Sequence, residues 1–270
     1  MKIYNKFKKG LLTAASSFSL IWKHKKLLVY LGIPIFAHVI IEILTYNITF
    51  NSSCFFSQEN IISCIFTATE PCKLLFYAKI LLASFAYLAI MNFGYIALSY
   101  HTAMIHKKKT VGIKNTITRT FSSIKPILIW TALLLVPTIL FYGMNTYNVK
   151  VQSSFIQLLY ISFISAFFAA WSLVTSFVIQ AIAIDHFGVI ESIKKSIYII
   201  KQILLEFVGT VFWLGLIGTL SIMPFVLLQK YANALYLIVI PLALLIYCTI
   251  TSAYTVAKTL LYLDFKKDKG

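Results

Sequence analysis

The chain alternates between long apolar runs and short basic segments. Six stretches, residues 27–46, 80–104, 124–143, 155–184, 204–228 and 234–263, carry almost no charge. Each reaches the roughly 20 residues that a helix needs to cross a hydrocarbon layer about 30 Å thick. They are apolar on every side, and too long for barrel strands, which run about ten residues and alternate in polarity. The pattern predicts an all-α, polytopic membrane protein of one domain, residues 1–270, with six transmembrane helices. Pro137, Pro224 and Pro241 fall inside the third, fifth and sixth runs, where neighbouring helices can satisfy the carbonyl that each proline frees.

The basic segments set the expected orientation. Residues 1–26, 107–125, 194–201 and 258–269 together carry 20 of the 24 Lys and Arg residues, leaving Lys73, Lys79, Lys150 and Lys230 for the other side. Short loops rich in cations stay cytoplasmic, so both termini are expected in the cytoplasm, with the chain in the cell membrane. The basic N-terminus does not read as a signal peptide. The apolar run that follows exceeds the usual 7–15 residues and no small-x-small site closes it.

Amphipathic stripes lie within three of these basic segments. Ile113, Ile117, Phe121, Ile124 and Leu128 fall at helical spacing, as do Val189, Ile193, Ile197, Ile200 and Leu204. Residues 112–121 align with 188–197, and Ile124, Lys125, Ile127 and Leu128 align with Ile200, Lys201, Ile203 and Leu204. Phe7, Leu11, Phe18 and Trp22 form a weaker third stripe. The expected unit is an interfacial helix followed by a transmembrane hairpin, three times over. Each stripe is expected in the acyl boundary, with lysines reaching anionic headgroups. Glu191 and Lys195 are spaced for an i,i+4 pair.

Composition sharpens this picture. The chain is 60% hydrophobic and only 12% charged, against about 25% charged in soluble domains, and its mean hydropathy is +0.85. A net charge of +16 would coat a groove in a nucleic-acid binder. Here it sits between apolar runs, and no nucleic-acid partner is expected. Arg119 is the only arginine, and since Arg is the better bidentate phosphate ligand, the lysine bias argues against a dedicated phosphate-recognition site.

Several short motifs carry a resemblance. They are Ser17, Phe18, Leu20 and Ile21 followed by Lys26, Leu27, Leu28 and Pro34; Gly94 and Ala97 ahead of a basic loop; and Asp185, Gly188, Ser192 and Ser196 after the fourth run. Together they resemble a prokaryotic six-span membrane family catalogued as a domain of unknown function. More loosely, the pattern is similar to the membrane domain that accompanies some glycerophosphodiester phosphodiesterases. The resemblance spans most of the chain outside residues 47–78. It implies architecture and no chemistry. The family tends to carry a proline where this chain has Gln180, a departure that bears on the bend expected there.

Polar residues inside spans are the usual functional flags. His38 and Glu42 stand one turn apart, with Pro34 on the same face; they could relay protons or bind a cation. Alternatively Glu42, roughly 22 Å from the inner end at about 1.5 Å per residue, snorkels outward. Asn92 and Gln180 could line a path between helices, or simply bond across them. Glu206 is expected to pair with Lys201 or Lys125. Asp185, beside His186, is expected to start the following helix as its N-cap. Gly209, Gly215 and Gly218 read as close-packing positions.

Cys54, Cys64 and Cys72 fall in the long outer loop, residues 47–78, and Cys248 in the sixth run. A disulfide between two of the three is one expectation in an oxidising compartment, with its pairing open. A metal site is not expected, because this loop has no His and zinc needs about four ligands. The chain lacks a GxxxxGK[ST] phosphate loop, an HExxH motif and a GxSxG elbow, so no catalytic residue and no cofactor is expected. The leading functional expectation is a non-enzymatic component of membrane or envelope lipid organisation. Its headgroup contacts would be Lys114, Arg119, Lys125, Lys194, Lys195 and Lys201. A small transporter or channel lined by His38, Glu42, Asn92 and Gln180 is the second reading, and an intramembrane enzyme the third.

Overall fold

The computed structural model describes residues 2–37, 70–148, 154–229 and 236–268, and every element among them is helical. The amphipathic N-terminus forms α1 (Lys2–Lys23). It stops at His24, whose non-helical backbone leads into a 3-10 turn over Lys25–Leu28. A second helix, α2, begins at residue 29 and is described to residue 37. Then follow α3 (Glu70–His106), α4 (Ile113–Phe121), α5 (Ile124–Asn148), α6 (Ser154–Thr175), α7 (Val178–Asp185), α8 (Val189–Gln229) and α9 (Tyr236–Lys267). Pro137, Pro224 and Pro241 all remain inside helices.

Four helical stretches are long and apolar enough to cross a membrane: Leu81–His106, Ser165–Asp185, Val189–Pro224 and Pro241–Lys267. A fifth is formed if Ile113–Phe121 and Ile124–Pro137 are counted as one bent pair. Of the expected first span, 27–46, residues beyond 37 lie outside the described part. The outer loop differs from expectation at its end, because α3 already begins at Glu70 with Pro71 in its first turn. Proline is well placed there, where its missing N–H is not needed, and polar residues are free to be helical beyond a hydrocarbon layer.

Two of the breaks between helices are built with hydroxyls. At the 69° bend between α4 and α5, Ser122 Oγ donates to the Arg119 carbonyl at 2.6 Å. Between α6 and α7 the chain breaks at Ser176–Phe177, three residues before Gln180 and without a proline. The freed Phe177 N–H donates to Ser196 Oγ of α8 at 3.0 Å, satisfying a buried donor that would otherwise be costly. The Phe177 ring packs against Phe207 and Tyr262. The break after α7 uses His186 in the left-handed region, φ 58°. In α8 the backbone leaves helical geometry at Ile203, so the helix is kinked where its amphipathic part ends.

The interior faces differ from the expected stripes in a uniform way. In α4 and the start of α5 the buried residues include Thr116, Thr120, Ser123 and Ile127; in the amphipathic part of α8 they include Ser192, Ser196, Ile199 and Ile203. Each of these stands one position before a member of the predicted apolar stripe, of which Val189 alone is itself buried among the described residues. In α1 the buried face is Gly10, Thr13, Ala14, Ser17 and Ile21, while Trp22 of the predicted stripe is 78% exposed. Phe121, Ile124, Leu128 and Leu204 are likewise exposed. The physical reason is the solvent. Lipid tails are as apolar as leucine, so helices associate through small and hydroxyl residues that allow close approach.

Three buried clusters result. One joins α1 and α2 to α3, α8 and α9 around Ala14, Leu27, Leu31, Leu98, Leu214 and Ala257. A second gathers Phe177, Ile199, Phe207 and Tyr262 where α7, α8 and α9 meet. The third holds Ile96, Ile127, Trp130 and Val178 between α3, α5 and α7.

Candidate functional site

Two ion pairs join distant helices among the described residues. Lys9 Nζ of α1 pairs with Glu206 Oε2 of α8 at 3.0 Å. Glu206 therefore takes its partner from the N-terminal helix, and not from Lys201 or Lys125 as expected. The close approach of α1 makes this possible. A Cβ built on Gly10 would lie 2.7 Å from the Glu206 carbonyl oxygen, and Thr210 Oγ1 reaches the Gly10 carbonyl at 3.3 Å. Burial acts to lower the Lys9 pKa. Its hydrogen bond to Glu206 and the charges of Glu206, Asp264 and Asp268 outweigh this and hold it above the ordinary value.

Asp185 ends α7 as a carboxylate with both oxygens occupied. Tyr262 Oη donates to Oδ2 at 2.6 Å and Lys266 Nζ to Oδ1 at 2.7 Å, both from α9. It does not cap the following helix as expected. The αL residue His186 and then Phe187 and Gly188 intervene, and these turn the carboxylate back towards α9. His186 instead accepts a hydrogen bond at Nε2 from Arg119 Nη2 at 2.7 Å. Burial, and then the Arg119 charge, lower its pKa, with Asp185 opposing.

These contacts draw residues from α1, α4, α7, α8 and α9 to one end of the bundle. The expected headgroup contacts divide there into two groups. Lys114, Lys125, Lys194 and Lys201 are exposed. Arg119 is bound to His186, and Lys195 lies over the rings of Tyr198 and Phe265, 5.9 Å from each centroid. No ion pair joins Lys195 to Glu191; the ammonium lies instead over Tyr198 of α8 and Phe265 of α9.

Asn92 and Gln180 form interhelical hydrogen bonds. Asn92 Nδ2 donates to Thr131 Oγ1 at 3.0 Å, and Gln180 Nε2 to Ser99 Oγ at 3.5 Å. Gln180 Oε1 is buried without a partner. Both contacts fall on α3, seven residues and roughly 10 Å apart along its axis, so the two amides do not meet. His38, Glu42, Cys54 and Cys64 lie outside the described residues. Cys72 stands in the first turn of α3, and Cys248 is a buried free thiol. Gly209 packs against Phe7 and Gly218 against Ile250, whereas nothing lies close to Gly215. No group of three His, Cys, Asp or Glu side chains among the described residues is placed to hold a metal ion.

One buried cluster escaped the sequence reading. His101 Nδ1 of α3 meets Tyr30 Oη of α2 at 2.9 Å and Thr116 Oγ1 of α4 at 3.0 Å. It ties the helix after the N-terminal turn to the first basic loop. Its partners stand 71 and 15 residues away in sequence, so no local spacing marks it.

No protein-family model matches the chain, and no curated protein matches it. The site itself therefore carries the functional argument.

Proposed function

We propose that this chain is a non-enzymatic component of membrane lipid organisation, acting through a basic cytoplasmic face on anionic lipid. In this reading it crosses the cell membrane six times, with both termini inside, as three units of interfacial helix and hairpin. The resemblance to the six-span family belongs to the same reading.

One observation carries it. Four lysines, Lys114, Lys125, Lys194 and Lys201, are exposed on helices whose outward faces also expose Phe121, Ile124, Ile190 and Leu204. Cations beside exposed apolar side chains match a headgroup layer above an acyl boundary. The same segments break at Ser122–Ser123 and Ile203 before entering their spans, as a helix must when it leaves the interface. Trp22, exposed with Lys25 over its ring at 5.5 Å, supplies an aromatic anchor of the kind found at interfaces.

The test is retention of anionic phospholipid through purification, read by mass spectrometry. The Lys194→Glu, Lys201→Glu double variant is expected to lose most of the phosphatidylglycerol held by the parent chain. Retention equal to the parent's would overturn the proposal.

A further inference from the structure

We propose that Arg119 and His186 form a recognition site for a phosphomonoester, presented by a lipid headgroup of the phosphatidic-acid class. The inference rests on the lipid-facing reading above and names the headgroup that one part of that face selects.

Three features of the pair point to such a ligand. First, the guanidinium has no carboxylate partner among the described residues. The nearest acid in sequence to His186 is Asp185, and its two oxygens are held by Tyr262 and Lys266. Arg119 is left with an imidazole nitrogen as its hydrogen-bond partner, a neutral acceptor that takes one of its five N–H donors and leaves others for an anion. Second, the pair joins two separate basic segments, α4 and the turn before α8, and both side chains are exposed. Third, the left-handed backbone at His186 is a conformation that non-glycine residues adopt at a cost, and it holds the ring beside Arg119. The corresponding cation in the aligned segment, Lys195, is already engaged by two aromatic rings.

Oxygen count selects the monoester. An arginine fork takes two phosphate oxygens side by side. A phosphodiester has only two non-bridging oxygens, so His186 would have to share one already held by the fork. A monoester has three, and at neutral pH it carries about 1.5 to 2 negative charges. When it binds, the Arg119–His186 hydrogen bond opens and the guanidinium turns to two of the oxygens. His186 then donates to the third oxygen as its Nε2–H tautomer, the ring proton having moved from Nδ1 by exchange with water. No charge or proton is gained or lost by the pair and ligand together. The scarcity of arginine in this chain does not oppose the site, because the histidine supplies the second donor.

The experiment uses the full chain in detergent, with phosphatidic acid and phosphatidylglycerol of matched acyl chains, and native mass spectrometry as the readout. Phosphatidic acid is expected to be retained about tenfold over phosphatidylglycerol, as two charge-assisted hydrogen bonds allow. His186→Gln and Arg119→Lys should each erase the preference for phosphatidic acid over phosphatidylglycerol. Arg119→Lys keeps the charge, so it separates fork geometry from simple attraction. Inorganic phosphate in excess should not displace the lipid. Displacement would keep the phosphate site but make its ligand soluble, and would overturn the lipid assignment. Equal retention of the two lipids, or a preference untouched by both variants, sinks the site while leaving the broader lipid-binding reading intact. Failure to retain either lipid counts against both.

Discussion

Gly10 and Gly209 face each other where α1 crosses α8, and neither has room for a methyl group without movement. A Cβ on Gly10 would stand 2.7 Å from the Thr210 backbone nitrogen, and one on Gly209 would stand 3.0 Å from the Phe7 carbonyl oxygen. These neighbours are backbone atoms, which cannot rotate aside. The N-terminal helix is therefore packed into the bundle through its small-residue face.

Gly10→Ala is expected to lower stability by about 1–3 kcal/mol, the usual cost of overpacking. Gly215→Ala is the internal control. A Cβ there meets nothing, and alanine is the better helix former by roughly 1 kcal/mol, so its unfolding temperature should match or exceed the parent's. Thermal unfolding in detergent distinguishes the two, and equal effects would show that the crossing is looser than described.

The Lys9–Glu206 pair should behave as a coupled unit. Lys9→Met and Glu206→Gln, alone and together, are expected to give a coupling of about 1 kcal/mol, reduced by solvent around the half-exposed lysine. Because the Lys9 pKa is raised above 10.5 in the folded chain, its contribution is complete below that value and fades as pH climbs through the raised one. The stability gap between parent and Lys9→Met should thus stay constant from pH 7 to pH 9. A gap that closes within that range would contradict the pairing.

Two buried serines one turn apart should respond in opposite ways. Ser196 Oγ accepts from Phe177 N–H, so Ser196→Ala leaves a buried donor unpaired and is expected to cost roughly 1–3 kcal/mol. Ser192 Oγ is buried without a partner, and Ser192→Ala should be neutral or stabilising. Chemical unfolding of the two variants decides it.

Tyr262→Phe and Asp185→Asn should loosen the end of α9, each by about 1 kcal/mol or more. Limited proteolysis near Lys266 and Lys267 reads this directly. Faster cleavage is expected in both variants, with the transmembrane part of α9 remaining protected.

The Arg119–His186 contact gives a pH dependence of the opposite sign to Lys9. Burial and Arg119 lower the His186 pKa, so the folded chain resists protonation there. The stability of this contact is complete above about pH 6.5, the ordinary histidine value, and is lost as pH falls through the lowered one. The difference in unfolding temperature between parent and His186→Gln should shrink on acidification from pH 7 to pH 5. A difference that grows would reverse the assignment of donor and acceptor.

What could be read in the sequence divides along a physical line. Helical class, apolar runs and the sites of basic segments follow from composition and period, because a bilayer demands long apolar helices wherever the chain crosses it. The hydroxyl and glycine positions were visible too, but periodicity points to the most apolar face, and in lipid that face turns outward. The buried stripes of α1, α4 and α8 consequently stand one residue before the predicted ones. Partners were less legible still. Glu206 lies 197 residues from Lys9 and Asp185 lies 81 from Lys266, and His101 finds Tyr30 across 71. Charge, hydropathy and spacing along one strand of chain determined which segments meet the membrane. Only the tertiary structure decided which polar groups meet each other, because each pair forms where two helices distant in sequence come close enough to exclude solvent.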